Sequence, residues 1–227
     1  MALFEGLNKI DTQWLLGING AHNPYFDAFF TFFTSKEVWF PFYLVMLVVI
    51  LLKYKRTGLW LALMLILTIA VSDQLSGLIK VLVERPRPSH APALEGMLNL
   101  PTGKRGLYGF VSSHAANSFA LTVMVGLISK CKRLWPALLV WAIITGYSRI
   151  YLGVHYPFDV LAGALLGAMV GWGMYKLTMW FDDRFLGKRI AFAGSCENHQ
   201  ITPVMISLLM ITLTLAIAAM LVLKYQM

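Results

Sequence analysis

Residues Leu59–Ile79 read LWLALMLILTIAVSDQLSGLI, a mostly apolar run that decides the fold class of this chain. A helix needs about 20 mostly apolar residues to cross the hydrocarbon core of a bilayer. The 227-residue chain is 58% hydrophobic and 13% charged, whereas soluble domains average about 45–50% apolar and about 25% charged residues. The composition therefore predicts a protein that is embedded in lipid.

Further apolar runs predict an all-α, polytopic transmembrane helix bundle of about six spans. The predicted spans are Val38–Leu52, Leu59–Ile79, Ser113–Ser129, Leu134–Tyr147, Phe158–Phe181 and Ile201–Leu223. We divide the chain into three parts. Residues 1–37 form an N-terminal helical segment, residues 38–181 the membrane core, and residues 182–227 a basic cytoplasmic loop followed by the last span.

Two shorter helical patterns precede the first span. The first is amphipathic and suits a helix that lies in the membrane interface. Its apolar positions are Phe4, Leu7, Ile10, Trp14, Leu15 and Ile18. The second, Pro24–Phe33, is aromatic and apolar but too short to cross alone. We interpret it as a half-buried or re-entrant helix, with a full crossing as the alternative.

The basic residues are divided unevenly between the two ends of the predicted spans. Six spans place 10 of the 19 basic residues on one side and nine on the other. Three of those nine, Lys80, Arg87 and Arg149, belong to the polar segments described below, which leaves six as topology signals. The positive-inside rule therefore assigns the side with 10 to the cytoplasm. These 10 residues are Lys53, Lys55, Arg56, Lys130, Lys132, Arg133, Lys176, Arg184, Lys188 and Arg189. Because the basic residues are split between two faces, a nucleic-acid partner is disfavoured. Cys131 and Cys196 fall on the predicted cytoplasmic side, where thiols stay reduced.

Three polar segments fall together on the opposite, non-cytoplasmic face. They are Lys80-x6-Arg87-Pro88, Ser112-Ser113-His114 and Ser148-Arg149-x5-His155-x3-Asp159. A single basic residue at a helix end would be an ordinary flanking residue. Three cations together suit a phosphate dianion, and two histidines suit a nucleophile and a general acid. Asp159, four residues after His155, can orient that histidine.

In this order and spacing, the segments resemble the type 2 phosphatidic acid phosphatase superfamily of membrane lipid phosphatases. Its pattern is KxxxxxxRP, then PSGH, then SRxxxxxHxxxD. The first and third segments match at every fixed position, whereas the second has Val111 in place of proline and Ser113 in place of glycine. The resemblance covers about residues 24–180 and leaves the last span unexplained.

The resemblance implies a role for each of these residues. His155 would attack phosphorus and form a phosphohistidine, Asp159 would orient it, and His114 would protonate the leaving oxygen. The phosphate oxygens would be held by Lys80, Arg87, Arg149, Ser112 and Ser113. This division of roles needs no cofactor and no metal, because phosphoryl transfer depends mainly on positioning and charge stabilisation.

The predicted function is hydrolysis of a phosphate or diphosphate ester on a membrane lipid, at the periplasmic face of a bacterial inner membrane. We expect undecaprenyl pyrophosphate as the substrate, with lipid A, phosphatidylglycerol phosphate and phosphatidate as alternatives. The segment Ser89–Phe110 would overhang the site. Its Lys104 and Arg105 could meet a second phosphate, with a solvated loop as the alternative.

Two other classes of protein are remote alternatives. Haloperoxidases hold vanadate in a related pocket, but they are soluble, and six spans argue against that class. A non-enzymatic transporter would have charges along a path through the bilayer, whereas these polar residues cluster at one face.

Overall fold

The computed structural model of this protein describes residues 2–187, 190 and 198–226, and these residues are almost entirely helical. They form α1 (Ala2–Gly20), α2 (Pro24–Phe33), α3 (Phe40–Tyr54), α4 (Arg56–Val83), α5 (Ser113–Ser129), α6 (Leu134–Tyr151), α7 (Pro157–Phe181) and α8 (Asn198–Gln226). Within this part of the chain there is no strand, and one isolated antiparallel bridge pairs Pro86 with Tyr108. The all-α prediction is confirmed.

Four helical stretches of the described chain are long and apolar enough to cross a membrane. They are Lys36–Tyr54, Arg56–Val83, Pro157–Leu186 and Thr202–Lys224. The predicted spans at α5 and α6 are helices of 17 and 18 residues. Since α5 packs against α4, α6 and α7, protein rather than lipid surrounds most of it. An integral membrane bundle is confirmed, and the number of six spans stays a prediction.

Helix α2 is short, as its sequence predicts. Its ten residues extend about 15 Å, half of the about 30 Å hydrocarbon thickness. Phe30 and Phe33 are buried where α2 packs against α6 and α8. The half-buried interpretation of Pro24–Phe33 therefore fits the length of this helix better than a full crossing.

Helix α1 is present, but the face that it turns to the bundle is not the apolar one. Asp11, Leu15 and Asn19 recur every four residues and are almost completely buried. Ile10 and Trp14 are 41% and 54% exposed. Apolar periodicity could not predict this face, because two of its three residues are polar. The side chains of residues 1–7, which include two of the predicted apolar positions, lie outside the described part.

The segment Ser89–Phe110 is tied to three helices through Asn99. The Asn19 side-chain amide of α1 donates to the carbonyl oxygens of Asn99 (2.8 Å) and Tyr151 (2.7 Å). The Asn99 amide donates to both carboxylate oxygens of Asp27 in α2 at 3.0 Å. Tyr151, the last residue of α6, donates from its hydroxyl to the same carboxylate at 2.9 Å. The connection after α4 therefore has a defined position against α1, α2 and α6.

The predicted basic loop is described only in part, because residues 188–189 and 191–197 lie outside the described residues. Cys196 belongs to this stretch. Cys131 is disulfide-bonded, whereas the sequence prediction was a reduced thiol. Disulfides persist in oxidising compartments, so this bond bears on the orientation of the protein in its membrane.

Small residues bring α5 and α7 into close contact. Gly163, Gly167 and Gly171 recur every four residues along the face of α7 that meets α5. A Cβ atom added at Gly167 would overlap the carbonyl oxygen of Ala116, and one added at Gly171 would overlap that of Ala120. Such small-residue seams allow membrane helices to approach backbone to backbone. This seam aligns the first turns of the two helices, where the predicted site lies.

Gly167→Val should separate α5 from α7, because no side chain fits against the Ala116 backbone. We expect a loss of at least about 1–3 kcal/mol of folding free energy, as in other overpacked interiors. Thermal unfolding in detergent measures this loss. Gly173→Val is the matched control in the same helix, since no atom lies within 4 Å of the Cβ that it adds. Equal unfolding temperatures for the two variants would show that the seam does not hold the helices together.

Candidate active site

The predicted site residues converge on one cavity of about 670 Å³. Five of the eight line its wall: Arg87, Ser113, His114, Arg149 and His155. The remaining three, Lys80, Ser112 and Asp159, bond to residues of this wall or to each other from behind it. Apolar side chains form another part of the wall, among them Tyr43, Ile66, Ile69, Leu121 and Trp141. The cavity is thus lined by both cationic and apolar side chains.

Arg149 lies in the last turn of α6 and is 5% exposed. Its Nη1 donates to the Thr34 hydroxyl, and its Nε is buried without a hydrogen-bond partner. An unpaired buried donor costs about 1–3 kcal/mol. An anion in the cavity would remove this cost by accepting from the guanidinium.

Arg87 is the second guanidinium of the wall, and a short backbone pairing positions it. Its backbone N–H donates to Leu107 O and its Nε donates to Tyr108 O, at 2.9 and 3.1 Å. Burial lowers the pKa of Arg87 from its usual value, and the nearby Asp159 opposes this change. Arginine keeps its proton in proteins, so the side chain remains a cation that an anion can compensate.

Lys80 reaches the cavity wall through Ser113. Lys80 Nζ donates to Ser113 Oγ at 2.6 Å, and Ser76 Oγ lies 2.7 Å from the same oxygen. The hydroxyl of Ser113, where the family pattern has glycine, therefore lies between the ammonium group and the cavity. Ser112 is placed differently from its prediction. Its hydroxyl is fully buried behind the wall without a partner, and its backbone N–H donates to Asp159 O at 2.9 Å.

His155 lies in the connection between α6 and α7 and is 1% exposed. Its Nδ1 is 3.4 Å from Asp159 Oδ2, an oxygen that also accepts the Tyr156 N–H at 3.0 Å. Burial lowers the pKa of His155 well below its usual value, and the charges of Arg87 and Arg149 reinforce this effect. A neutral imidazole with Nδ1 directed at a carboxylate leaves Nε2 as the nucleophilic atom.

His114 is the second residue of α5 and lines the same cavity. It lies within electrostatic range of His155 and of Arg149. The close contact of α5 with α7 therefore places the two predicted catalytic histidines on one wall. This is the arrangement that a nucleophile and a general acid require.

Asp159 has a partner, Arg85, that the sequence did not predict. Arg85 Nη1 donates to Asp159 Oδ1 at 2.7 Å, and Arg85 Nη2 donates to Asp11 Oδ2 at 2.6 Å. Arg85 had been counted only as a flanking basic residue. Its position two residues before Arg87, in the repeat Arg-Pro-Arg-Pro, is a signal that could have drawn attention to it. No sequence pattern indicated Asp11 as a partner of Arg85, because the two residues are 74 positions apart.

A polar pair inside the cavity was also missed. Asp73 lies within the α4 span and lines the cavity, where it accepts from the Asn117 amide at 3.1 Å. The Asn117 Oδ1 atom is buried without a partner. Ionisable residues inside membrane spans are costly, and they commonly mark a functional site. In the sequence, the charged Asp73 within the apolar run Leu59–Ile79 is the feature that could have indicated this polar pair.

The two basic residues predicted to meet a second phosphate are not on the described wall of the cavity. Lys104 and Arg105 are exposed, and the backbone oxygen of Arg105 lies 2.7 Å from a ring nitrogen of His90. Arg105 is nevertheless close enough for its charge to contribute to the lowered pKa of Arg87. Lys36, counted before only as a flanking residue, does line the cavity.

Among the described residues, His, Cys, Asp and Glu side chains form no group of three or more that could hold a metal ion. The two predicted catalytic histidines are therefore not part of such a group. That hydrolysis proceeds without a metal stays a prediction.

This chain is similar to a known protein family and to several of its members. The PAP2 superfamily profile matches residues 57–183. The lipid A 4'-phosphatase of Bacteroides thetaiotaomicron is 37% identical over 76% of this chain and 79% of its own length. That of Porphyromonas gingivalis is 31% identical over 86% of this chain and 81% of its own. The crystal structure of Aquifex aeolicus LpxE shares 32% identity and a TM-score of 0.57, covering 73% of this chain and 94% of that one.

This chain belongs to the PAP2 superfamily. It is a membrane phosphatase that hydrolyses phosphate esters of lipids. The matched residues include all eight predicted site residues, whereas α1, α2, α3 and α8 lie outside them.

Proposed function

We propose that this protein is a lipid A phosphatase. The observation that carries this proposal is the similarity to two lipid A 4'-phosphatases over at least 76% of the chain. From the sequence alone we expect undecaprenyl pyrophosphate as the substrate, whereas these similarities favour the alternative, lipid A.

In the proposed reaction, His155 Nε2 attacks phosphorus while Asp159 accepts the Nδ1–H hydrogen bond. The bond between phosphorus and the lipid oxygen breaks, and the imidazolium form of His114 gives its proton to that oxygen. A phosphohistidine and a lipid hydroxyl result. His114, now neutral, removes a proton from water, which attacks the phosphohistidine and releases inorganic phosphate.

The cations have a separate task in this reaction. Charge is spread over the equatorial phosphoryl oxygens in the transition state, so fixed donors around them lower the barrier. Arg87 and Arg149 present planar guanidinium groups to the cavity, and Lys80 acts through Ser113. Guanidinium groups suit this role because they can donate two parallel hydrogen bonds to one anion.

A saccharide headgroup would explain the polar pair in the cavity. Asp73 and the free Oδ1 of Asn117 offer acceptors for sugar hydroxyl or amide N–H groups. Lys36 offers a further cation on the same wall. Phosphatidate presents no sugar to such acceptors, so the pair favours a glycolipid.

The active site of this protein is proposed to face the periplasm of a bacterial inner membrane. The support is the excess of basic residues at the opposite helix ends. The Cys131 disulfide is the observation against it, since it falls at the end assigned to the reducing cytoplasm.

A labelling experiment in intact cells tests this orientation. Lys104→Cys, in a chain without Cys131 and Cys196, should react with a membrane-impermeant maleimide, whereas Lys55→Cys should not. The reverse pattern would place the site in the cytoplasm and make the disulfide end periplasmic.

Purified protein should release phosphate from lipid A, with chelator present, faster than from undecaprenyl pyrophosphate, phosphatidylglycerol phosphate or phosphatidate. We expect at least about a 10-fold preference in kcat/KM, which is about 1.4 kcal/mol of transition-state discrimination. His155→Ala provides the blank. A preference for another of the four lipids would replace the proposed substrate. Loss of activity in chelator that magnesium restores would contradict the metal-free reaction.

A further inference from the structure

We propose that Arg85 and Asp11 are positioning residues, through which α1 helps to hold the nucleophilic histidine in place. The proposal concerns a chain of side chains that runs from Asp11 through Arg85 and Asp159 to His155. It rests on the proposed function in one respect, the assignment of His155 as the nucleophile.

The guanidinium of Arg85 bridges two buried carboxylates. One arm meets Asp159 Oδ1 at 2.7 Å and the other meets Asp11 Oδ2 at 2.6 Å, and both aspartates are 0% exposed. The Arg85 Cζ atom also lies 4.2 Å from the centre of the Tyr156 ring. Contacts on three sides fix the plane of the guanidinium, and charge-assisted bonds of this length are strong in a buried setting.

Arg85 determines which way the Asp159 carboxylate faces. The Oδ2 atom serves His155 Nδ1, but at 3.4 Å that contact alone is too long to align the group. The two shorter bonds, from Arg85 to Oδ1 and from the Tyr156 N–H to Oδ2, set the rotation of the carboxylate. Without the guanidinium, a buried carboxylate would lose its cationic partner, a change that is strongly unfavourable in other proteins.

Asp11 keeps Arg85 in that position. The cavity beyond His155 is built for an anion, and a bound phosphate would attract any free guanidinium nearby. A second carboxylate on Arg85 opposes that movement. Asp11 is itself fixed, because its Oδ1 accepts the Phe158 N–H at the start of α7 at 2.8 Å. A residue from α1, outside the part of the chain that matches the family, thereby reaches the catalytic machinery.

A double-mutant cycle in the full-length protein tests this chain. Arg85→Met, Asp11→Asn and the double variant are compared on whichever lipid the wild type cleaves, with active sites counted from the burst of product. We expect kcat to fall about 100-fold for Arg85→Met, about 10-fold for Asp11→Asn, and no more than about 100-fold for both, because Asp11 acts only through Arg85. KM should stay within about 2-fold, since neither residue contacts the phosphate. Arg85→Lys should recover part of the loss.

Asn19→Ser is the matched control. Asn19 lies on the same face of α1 as Asp11 and hydrogen-bonds to Tyr151 and Asn99. Among the described contacts, Asn19 has no hydrogen bond to Asp11, Asp159 or Arg85. The Asn19→Ser change should lower the unfolding temperature without lowering kcat per active site. A double variant that loses about 1,000-fold, the product of the single losses, would overturn the proposal. So would a higher KM with unchanged kcat.

A second readout needs no turnover. Nitrogen NMR of histidine-labelled protein, with the His155 signal assigned by its absence in His155→Ala, reports which ring nitrogen carries the proton. We expect one tautomer, protonated at Nδ1, in the wild type and in Asn19→Ser, and a mixture in Arg85→Met and Asp11→Asn. The same tautomer in all four proteins would overturn the positioning role. A wild type that cleaves no lipid would reject the proposed function while this readout still decides the positioning.

Discussion

The close contact between α5 and α7 is the constraint on which the site depends. Gly163, Gly167 and Gly171 leave α7 without side chains along the seam, so its backbone meets the backbone and small side chains of α5. One consequence is the hydrogen bond from the Ser112 N–H to Asp159 O at 2.9 Å, which joins the first turns of the helices. His114 lies in the first turn of α5, and Asp159 lies in the first turn of α7. His155 lies two residues before the start of α7. A wider seam would move His114 away from His155, because His114 belongs to α5 and His155 leads into α7.

The sequence predicted the parts of this protein whose physical cause is local. Apolar runs predicted the helices, and the three polar segments predicted the residues that the cavity brings together. The polar face of α1 could not be predicted, because hydrophobic periodicity treats Asp11 and Asn19 as solvent-facing residues. The bridge by Arg85 was also out of reach, since it joins residues 74 positions apart. The disulfide at Cys131 contradicts the predicted reduced thiol. That prediction depended only on the membrane orientation inferred from the basic residues.

The cavity combines two environments that a lipid phosphatase needs. Arg87, Arg149 and the histidines form a desolvated, cationic end, where each hydrogen bond to phosphate is stronger than it would be in water. Tyr43, Ile66 and Leu121 add apolar side chains to the wall of the same cavity. Helix α8 lies outside the family match and packs on α2 and α3. It therefore supports the side of the site from which Thr34 contacts Arg149.

We propose that His155 carries the phosphoryl group between two chemical steps. The most direct measurement is rapid quenching of the protein with lipid A labelled in its phosphate, followed by isolation of protein-bound label and mapping of the labelled residue. We expect an acid-labile, base-stable adduct at His155 that forms and decays within one turnover, and that is absent in His155→Ala. Release of labelled phosphate in a single turnover without an adduct, or an adduct on another residue, would contradict it.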